Sequence, residues 1–337
     1  MRRALYLASR ADVATSPNPK VGCVIADGAR VVAEGRFRRD GGPHAEVDAV
    51  TRLPPPRQLD RARLTAYVSL EPCSIHGRTP PCAERLVGEG IRRVYVAALD
   101  ATPGVCGEGL AVLRRGGVAV EFGLAQDLAY ELARPRTVFA TAARPYVILK
   151  QALSADGYVG RRGQRVAITD PMANTLSHQW RADVDAILVG AGTVCADQPS
   201  LRTRLVSGAN PHVVVLDPRG RLSPKQVTTH FAPDATRDVH YLTGSEAAPA
   251  AALAYLHERR IGKLLVEGGP STIGRFVERE LWDEYREWTS PQTLRAGTGA
   301  PITAATVSGV EVAATAVGRD RLRCFRRADR HGCAPPR

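Results

Sequence analysis

Two short stretches hold most of the reactive side chains. Residues 43–46 read Pro-His-Ala-Glu, and residues 71–82 read Glu-Pro-Cys-Ser-Ile-His-Gly-Arg-Thr-Pro-Pro-Cys. His44, Cys73 and Cys82 form a zinc-ligand set with the fourth position left to water. Three protein ligands and one open position is the catalytic arrangement of zinc, not the closed structural one. Zinc lowers the pKa of a bound water towards neutrality, so that hydroxide becomes available at pH 7. Glu46 lies two residues past the histidine, where it can reach that water without binding the metal and carry a proton to a leaving amine. A His-x-Glu triplet alone is common. Followed by two Pro-Cys pairs, it is the pattern of zinc deaminases. Here Ser74 to Pro81 separate the cysteines, a longer gap than the commonest deaminases have.

A second, weaker signal lies far downstream. The apolar run Lys263-Leu264-Leu265-Val266-Glu267 is followed by Gly268-Gly269-Pro270-Ser271-Thr272 and then a helical pattern from Ile273 to Arg279. Glycines after a strand let backbone amides approach an anion, and the start of the next helix adds partial positive charge. Val189-Gly190-Ala191-Gly192-Thr193 is a second glycine-rich turn after a strand. The pair suggests a nucleotide-binding domain, although neither carries the full dinucleotide fingerprint.

The elements that must position these residues alternate between strand and helix. The pattern predicts a helix over 2–11, a strand over 21–26, a turn at Asp27-Gly28 and a strand over 31–35. His44 opens a helix through Val50, ended by the prolines at 54–56. Residues 64–70 form a strand that delivers Glu71-Pro72-Cys73, and Cys82 starts a helix to Glu89. Strands at 94–98 and 118–120 flank a helix at 110–115. Residues 127–144 read as helix and then loop, with Pro135 and Pro145 as breakers. The domain boundary falls near 143, giving domains 1–143 and 144–337. The second half alternates again, with strands at 146–150, 186–190, 211–217 and 263–267 and a helix at 250–260. The tail from Arg326 is basic and ends in prolines, and it reads as disordered. No internal repeat is visible. The fold class is α/β.

Composition narrows the function. A chain of 337 residues with 44% hydrophobic content supports two domains with proper cores. No run approaches the length a membrane span needs, and the basic, apolar start is too short for a signal peptide, so a cytoplasmic protein is expected. Seven cysteines suit reduced thiols and a metal site better than a disulfide framework. Cys23, Cys106, Cys195 and Cys324 sit among apolar or small residues suited to core packing. The net charge is +12, yet only four of the 46 basic residues are lysine, and the arginines are scattered. With aromatic residues at 5%, stacking platforms for nucleic acid are lacking. A phosphorylated small molecule is the better partner, since arginine forks match phosphate oxygens.

Several of these segments together resemble the bifunctional riboflavin-biosynthesis deaminase–reductase family. Ser16-Pro17-Asn18-Pro19-x-Val21-Gly22, Pro43 to Val47 and Leu70 to Cys82 are similar to its deaminase half, including the eight-residue gap. The second half resembles its dihydrofolate-reductase-like domain over Lys150 to Gly157, Ile168-Thr169, 188–193, Ala196-Asp197-x-Pro199-x-Leu201 and 266–270. The resemblance implies a cytidine-deaminase-like α/β/α sandwich followed by a dihydrofolate-reductase-like α/β domain. It implies two cofactors, Zn2+ and NADPH, and a phosphorylated pyrimidine substrate that is first deaminated and then reduced from ribosyl to ribityl. By the same resemblance His44, Cys73 and Cys82 bind zinc and Glu46 shuttles protons. Asn18 and Arg78 contact the deaminase substrate, while Arg181, Leu201, Arg204 and Glu267 match reductase substrate positions. Leu153, Thr193, Asp197, Gly269, Pro270, Ser271 and Thr272 match NADPH positions. A homo-oligomer is expected, with no nucleic-acid and no membrane partner.

The sequence departs from the family at Ala101, Thr102 and Ile75, and at Arg165 and Ala167, which stand where the family usually has Ser and Trp. The last pair motivates an alternative, a deaminase whose reductase-like half is altered or inactive in a specialised flavin-like pathway.

Overall fold

Runs of Val, Ile, Leu and Ala without interruption make strands buried on both faces, and the chain supplies such runs in both halves. The computed structural model describes residues 1–76, 80–161 and 166–328. They form two compact units, Met1–Ala143 and a second that begins at Arg144.

In the first unit the elements are α1 (Arg2–Ser9), β1 (Gly22–Asp27), β2 (Arg30–Arg36), α2 (Ala45–Val50), β3 (Leu64–Val68), α3 (Cys82–Gly88), β4 (Arg93–Val96), α4 (Glu108–Arg115), β5 (Ala119–Phe122) and α5 (Gln126–Thr141). The sheet order is β2-β1-β3-β4-β5. β1 runs antiparallel to β2 and β3, whereas β3, β4 and β5 are parallel. One core holds Ala45 and Ala49 of α2, Ala83 and Leu86 of α3, and Leu110 and Leu113 of α4 against the sheet. Another joins Leu5 of α1 to Ala129 and Ala133 of α5. The result is the α/β/α sandwich. α2 can lie close to the sheet because residue 35 is glycine: a Cβ there would meet the Ala45 carbonyl oxygen at 2.1 Å.

Pro135 does not break its helix. α5 continues through it to Thr141, with Val138 and Phe139 buried beyond it. Packing of that face outweighs the lost hydrogen bond and the ring clash of a helix-interior proline, which together cost about 3 kcal/mol.

The second unit contains β6 (Tyr146–Leu153), β7 (Tyr158–Gly160), α6 (Pro171–Ala182), β8 (Ala186–Gly190), α7 (Ala191–Asp197), β9 (His212–Asp217), α8 (Pro224–Phe231), β10 (Val239–Thr243), α9 (Pro249–Glu258), β11 (Lys263–Gly268), α10 (Pro270–Glu278), β12 (Glu284–Thr289), β13 (Thr298–Gly299), β14 (Val310–Val317) and β15 (Asp320–Arg326). Its sheet order is β10-β9-β8-β11-β6-β12-β15-β14. The first six are parallel, and β15 and β14 extend the sheet antiparallel. Leu188, Val214, Leu264 and Val266 pack with Trp282 and Tyr285 in the core. From β6 the chain moves outward through β8, β9 and β10, then returns to place β11 between β8 and β6. That reversal opens a crevice at the carboxyl ends of the strands, the usual ligand position in such sheets.

Three sequence expectations change here. The glycine-rich segments are not loops: β8 passes directly into α7 at Gly190–Ala191, and only Gly269 separates β11 from α10. Ser271 and Thr272 therefore belong to the first turn of α10. Arg326 belongs to the sheet, where it closes β15 opposite Glu284 and Val310, and the tail from residue 329 lies outside the described residues. Cys195 is exposed and not a core residue.

Arg237 holds a loop of this unit from inside. It is 1% exposed and donates to the carbonyl oxygens of Pro211 (3.1 Å), Phe231 (3.3 Å) and Ser200 (3.0 Å). Burial pulls its pKa down to about 10.

Candidate functional sites

His44 caps the start of α2, Cys73 follows β3, and Cys82 is the first residue of α3. Folding of the sandwich brings the three together. His44 Nδ1 lies 3.2 Å from Cys82 Sγ and 3.5 Å from Cys73 Sγ. The Cys82 N–H donates to Cys73 Sγ at 3.3 Å. All three donor atoms lie within 4.8 Å of one another. One imidazole nitrogen and two thiols is a borderline-soft set that suits zinc, and three ligands leave a coordination position open. The hydrogen bonds from Cys82 and His44 make Cys73 the more acidic thiol, as metal ligation requires.

Glu46 is 3% exposed in the first turn of α2. Burial raises its pKa to about 7. A carboxyl poised near neutral pH can both hold and release a proton, which is the property of a shuttle.

Glu71, for which the sequence offered no role, fixes the cysteine loop. It is buried and accepts the amides of Gly109 (2.8 Å), Gly107 (3.0 Å) and Asp100 (3.2 Å). Thr102 donates its hydroxyl to Asp100 at 2.6 Å and accepts from Arg136 at 3.0 Å. Asn18 lies before β1 and donates its amide to Asp40 Oδ1 at 2.6 Å. Arg78 lies outside the described residues.

In the second unit the crevice is a cavity of about 800 Å³. The strand ends line it through Lys150 and Ala152 of β6, Gly190 of β8, Leu216 of β9 and Glu267 of β11. It gathers Arg181, Leu201, Arg204, Glu267, Thr193, Asp197 and residues 269–272. Leu153 is the exception. It follows Ala152 on the opposite face of β6 and is 4% exposed, so it is a core residue rather than a lining one. Ala167 lines the cavity without the bulk of an indole, and Arg165 lies outside the described residues.

Arg181 and Glu267 form a two-bonded pair, Nε to Oε1 at 2.9 Å and Nη2 to Oε2 at 2.7 Å. Burial alone would raise the Glu267 pKa, but Arg181 and Lys150 outweigh it and hold the carboxylate at about 2. Burial lowers the Lys150 pKa. His178, also missed in the sequence, is 1% exposed and lines the cavity. Its Nδ1 accepts the Arg204 N–H at 3.0 Å, which fixes the proton on Nε2. Its signal was positional: it stands three residues before Arg181 on one face of α6. Substitution of alanine for Gly190 would place a Cβ 2.4 Å from Thr272 Oγ1, so the glycine lets α10 start against β8.

His212, Asp238 and His240 also bring donor atoms within 4.8 Å. The Asp238 N–H donates to His212 Nδ1 at 2.9 Å, which commits that lone pair and makes the group a poor metal site.

Two family descriptions match the chain: the cytidine and deoxycytidylate deaminase zinc-binding region over residues 1–98, and the RibD C-terminal domain over residues 145–309. The riboflavin biosynthesis protein RibD of Aquifex aeolicus is 34% identical, over 88% of this chain and 87% of its own. That of Escherichia coli is 34% identical over 87% of each. The crystal structure of a diaminohydroxyphosphoribosylaminopyrimidine deaminase/5-amino-6-(5-phosphoribosylamino)uracil reductase from Thermotoga maritima superposes with a TM-score of 0.87 at 31% identity, covering 97% of both chains. Acinetobacter baumannii RibD superposes at 0.84 with 31% identity, over 97% of this chain and 98% of its own. Among the described residues no helix is long and apolar enough to cross a membrane. With relatives aligned over both halves and the reactive residues gathered into two sites, the chain belongs to the RibD family of riboflavin biosynthesis proteins.

Proposed function

We propose that the chain carries out two successive steps of riboflavin synthesis, deaminating a diaminopyrimidine ribosylamino phosphate in residues 1–143 and reducing its ribosyl group to ribityl in residues 144–337. One observation carries the reading: a His-Cys-Cys group beside a buried glutamate and a charged, strand-end crevice are built into one chain.

In the first site His44, Cys73 and Cys82 would hold the zinc, which supplies a water nucleophile ionised near neutral pH. Glu46 keeps a proton at its carboxyl and delivers it to the exocyclic nitrogen as that nitrogen leaves as ammonia. Its pKa of about 7 suits both taking up and giving back the proton. Glu71 holds the cysteine loop in place through backbone amides. Asn18 and Arg78 are the residues we assign to the substrate.

In the second site NADPH supplies the hydride when bound. Glu267, kept ionised by Arg181, offers acceptor oxygens to sugar hydroxyls. Arg181 and Arg204 supply donors to the substrate, and Leu201 packs beside them. Thr193, Asp197, Gly269, Pro270, Ser271 and Thr272 face the cofactor.

The test is product analysis of the purified protein with zinc, NADPH and the diaminopyrimidine phosphate. Accumulation of the ribityl product is the expected result. Full zinc occupancy with neither step proceeding would overturn the reading.

A further inference from the structure

α6 turns one polar face into the cavity of the second unit. Asn174, His178 and Arg181 follow one another at helical spacing, and all three line it. Arg181 is engaged with Glu267. His178 has one engaged ring nitrogen and one free. Its Nδ1 accepts the Arg204 N–H at 3.0 Å, so the proton stands on Nε2. Among the described residues that Nε2–H has no hydrogen-bond partner, although the residue is only 1% exposed. A buried donor without an acceptor is costly and uncommon. This one lies in the wall of a ligand cavity, where a ligand can supply the acceptor.

The charges around the ring define that acceptor. Arg181 of α6, Arg204 of the loop beyond α7 and Lys150 of β6 face it together with a single carboxylate, Glu267 of β11. Three cations against one carboxylate leave an excess of positive charge, which favours an electron-rich oxygen. Burial, and then the charges of Arg181 and Arg204, lower the pKa of the ring from its ordinary value. The imidazole therefore stays neutral, with Nδ1 as acceptor and Nε2–H as donor. In the substrate the pyrimidine is uncharged, whereas the phosphorylated ribosyl chain is anionic and rich in oxygens. That chain is the part that belongs beside His178.

We infer that His178 is a positioning residue of the reductase site, which holds the Arg204 segment through Nδ1 and an oxygen of the substrate's phosphorylated ribosyl chain through Nε2–H. The inference rests on the reading of this unit as the reductase of a phosphorylated ribosylaminopyrimidine. The oxygen is held alike before and during hydride transfer, so the contact sets KM rather than kcat.

Asparagine and glutamine separate the two nitrogens. The asparagine amide reaches the place of Nδ1 and can accept the Arg204 N–H, whereas the glutamine amide reaches that of Nε2 and can donate into the cavity. Full-length His178→Asn should keep wild-type stability in denaturant titration. Its KM for the deaminated pyrimidine phosphate should rise roughly tenfold, the worth of one such hydrogen bond, with kcat and NADPH affinity within about twofold. His178→Gln should do the reverse, with KM near the wild-type value and lower stability, because the Arg204 N–H has lost its acceptor. His178→Ala should show both losses, and deamination should be unchanged in all three. In wild-type protein labelled with 15N-histidine, the ribityl product should move the His178 Nε2–H signal and NADPH alone should not, a measurement that requires no variant to fold. A wild-type KM in His178→Asn would reduce the ring to a structural anchor and overturn the inference. A loss confined to NADPH affinity or to kcat would overturn it too, by giving the ring to the cofactor or to the chemical step. If the wild type reduced its substrate but the product left the Nε2–H signal unmoved, this inference alone would fall. A wild type that reduced nothing would remove the reductase reading and the inference with it.

Discussion

Arg181 on α6 and Glu267 on β11 meet through two parallel hydrogen bonds of 2.9 and 2.7 Å, although 86 residues separate them in sequence. Their side chains are only 13% and 8% exposed. The pair sits in the cavity wall, so it serves both the stability of the unit and the recognition of its substrate. Removing one partner leaves the other charged and buried without its two-bonded partner. Arg181→Met should therefore destabilise the second unit by about 3–5 kcal/mol, read by denaturant titration. Arg181→Met combined with Glu267→Gln, which removes both charges, should recover much of that loss.

The same carboxylate sets a pH dependence. The Glu267 pKa is held at about 2, below its ordinary 4.5. A depressed carboxyl contributes stability that is complete above the ordinary value and lost as pH falls through the folded one. The contribution is roughly 3 kcal/mol. Stability of the second unit should therefore drop between pH 4.5 and 2, and Glu267→Gln should flatten that limb of the curve. An unchanged acid limb in the variant would count against the pair as its cause.

Glu46→Gln keeps the size of the side chain and removes the proton it carries. Zinc content should match the wild type, while deamination falls by roughly 10²–10⁴-fold, the usual worth of a positioned acid–base group. Metal analysis alongside initial rates checks both halves of the prediction.

Cys82→Ser should lose the metal, because the alcohol is a far weaker ligand than a thiolate. Cys82 is also buried at the start of α3, so some melting of the first unit should accompany the loss. Reduction of an already deaminated substrate should persist, and an assay fed that intermediate measures it.

Glu71→Ala removes the acceptor of three backbone amides. Each buried donor left unpaired costs about 1–3 kcal/mol. Zinc affinity should fall although no ligand has been touched, and a competition titration with a chelator would show it.

How much of this could be read from the chain differs between the two sites. The zinc ligands lie within 40 residues and each directly follows a proline, with His44 and Cys82 at helix starts and Cys73 in the loop after β3, so type and spacing alone assembled them. Glu71 was visible as part of the motif, but its task depends on the Gly107 and Gly109 amides, whose positions only the folded loop reveals. Arg181 and Glu267 came from the family resemblance. Nothing in the pattern of α6 says that its arginine will find a glutamate at the end of a strand 86 residues later. The strands beyond Trp282 went unread for a related reason. β12 reads Glu-Tyr-Arg-Glu-Trp-Thr, which looks solvent-facing. Yet Glu287 is 4% exposed and is satisfied by the Tyr285 hydroxyl at 2.7 Å and the Ala304 N–H at 2.6 Å. Charged residues with local partners hide a buried strand from hydrophobic patterning. At Pro135 the local rule was correct and tertiary packing overrode it.

Arg237 has a thermodynamic consequence for the cavity. Its guanidinium grips the carbonyl oxygens of Ser200 and Pro211, the two sides of the stretch that carries Leu201 and Arg204. That stretch is shaped by an interior cation before any ligand arrives. Binding there has little backbone left to order, so its entropic cost is low and more of the contact energy is retained as affinity. Arg237→Met should reverse this, with the loss in calorimetry on ligand binding appearing as a larger unfavourable entropy rather than a smaller enthalpy.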